Sequence, residues 1–464
     1  MTYPPALTST ALDELRAVAI DWALAHGLVV RPSTDKQIHF PNASAVTHAP
    51  FTLYPSPFPR AEFEKAKGLQ QSWNALIHKM SEDDALITEV METLSQVDDF
   101  MQKLYDIYLK VKEEGIAQPA SLGIYRCDYL LHAAPGADAK TARIQQVEFN
   151  TIAASFGSLS TRTSEMHRYL LSAVEGYADG QIKLDQLPEN RGIEGLANGI
   201  ASAWKLYGKP DAYVLMVTQD GERNAFDQRW LEYNLIETHG VRLMRRSLTD
   251  IYRNATLNPE NKALIIDGHE IAEWDARLLL ERSLSIKCPT VAYQLVGAKK
   301  VQQVLSIPGR LERYIDVYTA DLLRESFTGL YPLDDSPEGK EAYDMALKNP
   351  ETLVLKPQRE GGGHNFYGAE VVDILKNASP EERNAYILMD LIRSPPLENI
   401  MVREGQVIKS DVAGELGIYG VYLNDGENTV VNDVAGHLLR TKAHTTNEGG
   451  VAAGFAVIDS PLLV

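Results

Sequence analysis

From Val354 to Gly368 the chain reads Val-Leu-Lys-Pro-Gln-Arg-Glu-Gly-Gly-Gly-His-Asn-Phe-Tyr-Gly, an apolar strand-like start followed by mixed charges and a glycine triplet. Glycines lacking a Cβ let backbone N–H groups close around phosphate oxygens, while Lys356 and Arg359 contribute fixed positive charge and Glu360 offers a hard oxygen to magnesium. The plain alternative is a flexible turn with solvated charges, and the dense mixture of opposite charges with glycine weighs against it. No G-x-x-x-x-G-K-[ST] pattern occurs anywhere in the chain. A nucleotide polyphosphate must therefore be gripped by an architecture other than the P-loop.

The 464 residues supply a large core and suggest roughly two to four structural units. A formal net charge of −18 argues against nucleic-acid partners, which are bound through clustered Lys and Arg, and favours small substrates in locally basic pockets. Only Cys127 and Cys288 are present, without a disulfide framework or a metal motif. The start Met1-Thr2-Tyr3-Pro4-Pro5 lacks a basic and apolar leader, and no apolar stretch approaches membrane-spanning length. A cytoplasmic protein with no membrane partner is expected.

Thr10 to Asp13 resembles a capped helix start, and Leu12, Leu15, Val18, Ala19, Trp22 and Ala23 follow at helical spacing before Gly27. Residues 81 to 115 read as further helix with Met91, Leu94, Val97, Phe100, Leu104 and Ile107 along one face. A strand at 213–217 opens a small α/β module in mid-chain, and further strands are expected at 386–392 and 415–422. The expected units are 1–200, a helical part with a metal-binding part; 201–300, a substrate-binding α/β domain; and 301–464, a nucleotide-binding part.

Three more constellations carry chemistry. On a strand, Glu148 and Asn150 point to one face, and a carboxylate beside an amide oxygen suits magnesium; read alone, the pair fits a solvated strand face as well. Lys299 and Lys300 begin a helix after Gly297 and offer a second cation for phosphate, although paired lysines on a helix ordinarily face solvent. Arg440 and Lys442 share one side if extended, and precede the glycine segment Glu448 to Gly454, which suits a carboxylate clamp, a lid or a mobile tail.

Val147 to Ser155 (VEFNTIAAS), Glu222 to Arg229 (ERNAFDQR), Glu281 to Gln303, Leu355 to Asn365 (LKPQREGGGHN) and Glu448 to Gly454 (EGGVAAG) together resemble eukaryotic-type glutathione synthetase, in order over nearly the whole chain. The resemblance implies an ATP-grasp fold of α/β lobes, circularly permuted because Glu148 and Asn150 precede Lys356, with an inserted α/β substrate-binding domain. It implies a homodimer. It implies a ligase joining γ-glutamylcysteine to glycine with ATP through an acyl phosphate.

On that resemblance Glu148, Asn150 and Glu360 hold magnesium, while Lys299 and Lys356 contact phosphates. Pro357, Gln358, Arg359, Gly361, Gly362, Gly363, His364 and Asn365 wrap them. Met389, Asp390, Leu391 and Ile392 form the adenine hinge, and Tyr367, Glu415, Lys442 and Glu448 line the nucleotide site. γ-Glutamylcysteine falls to Arg126, to Ile152, Ala153, Ala154 and Ser155, to Glu222, Arg223, Asn224 and Gln228, and to Arg440, with Val451 and Ala452 on a closing loop. Arg126, Lys299, Lys356, Arg359 and Arg440 are the expected catalytic cations. Two departures are Ala153 and His364, where the family often has Ser or Val and Asn. A third is larger: family members carry a loop with Arg-x-Gly-Tyr where Ala272 here runs straight into Glu273, and a break in the chain is expected between those two residues. The alternatives are another ATP-grasp carboxylate–amine ligase or a catalytically impaired nucleotide-binding relative.

Overall fold

The computed structural model describes residues 3–32, 44–134, 141–178, 180–266, 273–358, 364–447, 450–451 and 454–464. Its framework is a seven-stranded sheet in the order Leu397–Arg403, Phe51–Thr52, Ala456–Asp459, Thr429–Ala443, Gln406–Asn424, Ser121–His132 and Arg143–Asn150. Neighbours are antiparallel except where Ile458 pairs with Phe51. The strand Leu397–Arg403 also pairs with residues 406–412 at the start of the long Gln406–Asn424 strand, so the sheet curls back on itself.

Alternation sends successive side chains of these strands to two cores. Tyr125, Cys127, Tyr129, Leu416, Ile418 and Leu439 pack with Phe63, Trp73 and Ile77 of the helix Arg60–Ser81. On the opposite face Tyr419, Val421, Leu423 and Leu438 pack under the helices Gly157–Ala173 and Gly192–Tyr207. The second helix lies against the sheet because Gly199 has no Cβ; one would come within 2.4 Å of Val421.

A four-stranded antiparallel sheet runs Leu330–Tyr331, Ile387–Asp390, Leu353–Lys356 and Phe366–Tyr367. Leu353, Leu355 and Leu388 face the helices Pro337–Lys348 and Ala369–Asn377 through Ala342, Ala346, Val371 and Leu375. Leu330, Val354, Ile387 and Met389 form the other apolar face. In mid-chain the parallel pair Val214–Val217 and Leu243–Arg246 is joined by the helix Ala225–His239, followed by the hairpin Ala255–Leu257 with Leu264–Ile266.

Several expectations shift in detail. The first helix is Ser9–Ala25, because Thr8 rather than Thr10 caps it, its hydroxyl accepting from the Ala11 N–H at 3.2 Å. Residues 81–115 are not one helix. Asp83 and Asp98 each cap a new one, Asp84–Leu94 and Asp99–Glu114, after Arg60–Ser81 ends. The break resets the helical phase, so Phe100 stands exposed, edge-on to Trp274 at 5.1 Å between centroids. The C-terminus is no loose tail, since Ala456–Asp459 is inside the large sheet and Pro461–Leu463 pairs with Ser56–Phe58. The expected break after Ala272 lies outside the described residues, as do the site residues Arg359, Glu360, Gly361, Gly362, Gly363, Glu448 and Ala452.

Candidate functional site

The strand Ser121–His132 sets Arg126 and Asp128 on one face, opposite Asn150 and Glu148 on one neighbour and Tyr419 and Gly417 on the other. Asp128 is fully buried and accepts hydrogen bonds from Arg126 Nε at 2.7 Å, Arg126 Nη2 and Arg440 Nη2 at 2.9 Å each, and Asn150 Nδ2 at 3.0 Å. Arg440 also donates to the buried carboxylate of its cross-strand partner Glu415. Burial opposes the charge of both arginines. Asp128 nevertheless raises the pKa of Arg126 well above its usual value, and Glu415 followed by Asp128 raises that of Arg440. Two cations are thereby fixed, charged and oriented before any ligand arrives.

Gly417 makes this possible. A Cβ there would stand 2.7 Å from both Arg126 Cδ and Asp128 Oδ1.

Glu148 lies beside this cluster, 3.3 Å from Lys299 Nζ. Burial would raise its pKa, but Lys299, Lys356, Arg440 and Arg126 outweigh that and hold it down to about 2. Lys356, at the end of its strand in the smaller sheet, donates to Val147 O at 3.0 Å and so ties the two sheets together. Asn150 donates its amide hydrogens to Asp128 and to Arg126 O at 3.1 Å, bonds that do not engage its carbonyl oxygen. A partly buried, ionised carboxylate and a pre-oriented amide oxygen are hard donors that fit a magnesium ion. Among the described residues no group of three His, Cys, Asp or Glu forms a metal centre without further ligands.

The paired lysines are not surface residues. Both are buried, and they diverge: Lys299 goes to Glu148, while Lys300 Nζ donates to Asn384 Oδ1 at 3.0 Å and its backbone N–H to Gln358 at 3.0 Å. Burial lowers the Lys300 pKa to about 8. Arg440 and Lys442 do share a strand face, and Lys442 donates to Asn447 O.

Within the set expected to bind the nucleotide, Met389 is buried beside Val354, with Tyr367 and Ile392 packed on the same apolar face. Asp390 turns the other way to accept from Tyr331 at 3.2 Å, and the N–H of Leu391 is taken by Thr352 O at 2.8 Å. Pro357 is half-buried, His364 is exposed, and Asn365 reaches the Tyr367 hydroxyl at 3.5 Å.

The residues expected to hold the dipeptide gather about the turn before the helix Gly157–Ala173. Ser155 O accepts from Arg126 at 3.2 Å and from Tyr419 OH at 2.5 Å, and Ala153 is exposed in the left-handed region, with φ 53°. Ile152 and Ala154 are half-buried in the same turn, and Val451 is buried in the core beneath it. Asp227 then accepts the N–H groups of Phe156, Ser158 and Leu159 at 2.6, 2.9 and 3.0 Å, which joins the turn to the start of the helix Ala225–His239. Burial raises the pKa of Asp227 and those N–H groups act against the rise. Glu222, Asn224 and Gln228 lie at that helix start, with Asn224 N–H donating to Glu222 at 2.7 Å. Arg223 does not join them; it is exposed and reaches Arg31 O at 3.4 Å.

A family model described as the eukaryotic glutathione synthase ATP-binding domain matches residues 9–463. The glutathione synthetases of Xenopus laevis and Homo sapiens are similar at 43% and 42% identity, covering 98% and 97% of this chain and 97% and 96% of their own lengths. The chain belongs to the eukaryotic glutathione synthase family. A solved glutathione synthetase-like effector from Globodera pallida, 24% identical, superposes with a TM-score of 0.79 over 100% of this chain and 99% of its own, and shows the same fold.

For this glutathione synthase family member, sequence reasoning missed Asp128, Gly417, Tyr419 and Asp227. The signal for Asp128 was present, since Arg126-x-Asp128 on a strand puts opposite charges on one face. Asp227 lies inside the ERNAFDQR segment but marks itself only through a partner about seventy residues earlier.

Proposed function

We propose that this chain is an ATP-dependent ligase that joins γ-glutamylcysteine to glycine, giving glutathione, ADP and phosphate. The observation that carries the reading is the convergence of Arg126, Arg440, Lys299 and Lys356 around Glu148 and Asn150 at the junction of the two sheets, in a chain of this family.

A carboxylate oxygen leaves poorly, so the cysteinyl carboxylate first attacks the γ-phosphorus of ATP. An O–P bond forms and the bond to ADP breaks, with ADP leaving. The amine of glycine then attacks the acyl carbon; the C–N bond forms, phosphate departs with the C–O electron pair, and the ammonium loses its proton. Lys299 and Lys356 hold the phosphates, and the Arg126–Asp128–Arg440 cluster fixes the acyl group and faces the oxyanion that develops. Glu148 and Asn150, with Glu360, would hold magnesium. Held by those residues, the ion would supply positive charge against the negative charge that develops in phosphoryl transfer.

The proposed setting is a homodimer in the cytosol, supported by the family resemblance and by two unpaired cysteines. Among the described residues no helix is long and apolar enough to cross a membrane. ADP release that requires ATP, γ-glutamylcysteine and glycine together tests the reading; ATP binding without such turnover overturns it. The direct Ala272–Glu273 sequence favours, as a second reading, a catalytically impaired nucleotide-binding relative, which would bind ATP without turnover in the same assay.

A further inference from the structure

In an open parallel sheet, ligands bind beyond the carboxyl ends of the strands. In the mid-chain pair those ends are Val217, which leads into Glu222 and Asn224, and Arg246. Arg245 pairs with Met216 and lies on the same strand face as Leu243, which packs toward Leu235 of the helix Ala225–His239. Its guanidinium donates to Gln228 Oε1 and, at 3.4 Å, to Ala225 O. Both partners are neutral oxygens, so among the described residues a half-buried cation with five N–H groups has no carboxylate hydrogen-bonded to it. Its neighbours are Arg229, already paired with Glu232 at 2.6 Å, and the carboxylate of Glu222.

The other side of Gln228 has the opposite character. Its amide nitrogen is 3.5 Å from Glu222 Oε2. Asn224 is 7% exposed, and its Oδ1 is buried without a hydrogen-bond partner. Acceptors for a cation and donors for an anion thus flank one amide, at the start of one helix. An α-amino acid head, with an ammonium and a carboxylate on the same carbon, has this pair of charges.

We propose that Arg245 is a substrate-recognition residue whose guanidinium takes the α-carboxylate of the γ-glutamyl group, while Glu222 and Asn224 Oδ1 take its α-ammonium. This rests on the function proposed above. A charge-assisted bond at a half-buried site is worth roughly 10- to 100-fold in affinity, enough for Arg245 to separate a γ-glutamyl donor from an acyl donor of the same length without the carboxylate.

The test compares γ-glutamylcysteine with glutarylcysteine, which lacks the α-amino group, and 4-aminobutanoylcysteine, which lacks the α-carboxylate, by ADP release at saturating ATP and glycine. Arg245→Met is expected to lower kcat/KM roughly 10- to 100-fold for the first two, mainly through KM, and to leave 4-aminobutanoylcysteine and the KM for ATP within about threefold. Arg245→Lys is expected to recover part of the loss, and it carries the same comparison if the Met variant is too unstable to purify. Equal losses on all three donors would make Arg245 a clasp for Gln228 and overturn the proposal, as would no loss on any. If the unsubstituted enzyme turned over none of the three, the functional reading itself would fall, and the subsite with it.

Discussion

Asp128→Asn keeps the shape of the central side chain and removes its charge. Four donor atoms converge on this carboxylate within 3.0 Å, three of them on two buried arginines. An asparagine offers one oxygen and one NH2 group, so part of that donor set would face another donor in a site with no exposure. Breaking a buried charged pair by removing one partner typically costs about 3–5 kcal/mol, because the remaining charge is left uncompensated. Glu415 still serves Arg440 and softens the loss on that side, so we expect the lower end, about 3 kcal/mol. Urea unfolding followed by tryptophan fluorescence reads the stability. Initial rates of ADP release read the site, where displaced arginines should raise the KM for γ-glutamylcysteine more than that for ATP. A stability within about 1 kcal/mol of the parent, with both KM values unchanged, would refute the account of Asp128 as the organiser of Arg126 and Arg440.

Three other outcomes follow from the geometry. Gly417→Ala should cost about 1–3 kcal/mol by urea unfolding and lower turnover, since its Cβ meets a pinned Arg126 and Asp128 at 2.7 Å; parent-like values for both would show that the pair has room to move. Glu148→Gln should reduce kcat by about 100-fold with a smaller effect on ATP binding by calorimetry, because the charge matters most as the phosphoryl group leaves, and comparable turnover would remove Glu148 from the site. Burial lowers the pKa of His437 to about 3 from 6.5, so below pH 6.5 the unfolded chain takes up a proton that the native residue refuses, and stability falls as pH falls through that window. His437→Gln should therefore shrink the stability difference between pH 6.5 and 4.5 by about 2–3 kcal/mol; an unchanged difference would place the acid sensitivity elsewhere, with His167, lowered to about 4, as the next candidate.

Local chemistry was legible in the sequence, and so were strands with a strong pattern. Glu148 and Asn150 share a strand face because alternation demands it, and Leu353–Lys356 forms where an apolar run precedes the glycine loop. Helix ends were less legible, since Asp83 and Asp98 read as surface acids until their side chains are seen to accept N–H groups three residues on. The burial of Lys299 and Lys300 was hidden for a different reason: paired lysines at a helix start have the composition of a surface, and only packing against the strand with Glu148 and against Gln358 encloses them. Asp128 and Asp227 were missed because their roles exist between elements distant in the chain. Arg440 reaches Asp128 across 312 positions, a separation no local pattern records.

On the proposed reading, the charge of the described site calls for something more than protein. Among the described residues Arg126, Arg440, Lys299 and Lys356 face Asp128, Glu415 and Glu148, a surplus of one positive charge in a chain whose net charge is −18. A nucleoside triphosphate and a dipeptide carboxylate bring more negative charge than that surplus balances. The arginines cannot simply be freed to meet it, because releasing Asp128 or Glu415 would strand a buried carboxylate. On that reading the shortfall is met by a divalent ion on Glu148 and Asn150, whose ionised carboxylate and amide oxygen are set beside the arginine cluster rather than inside it. The fixed pairs then act as orienting charges that need no rearrangement during phosphoryl transfer, and the exchangeable charge arrives with the nucleotide.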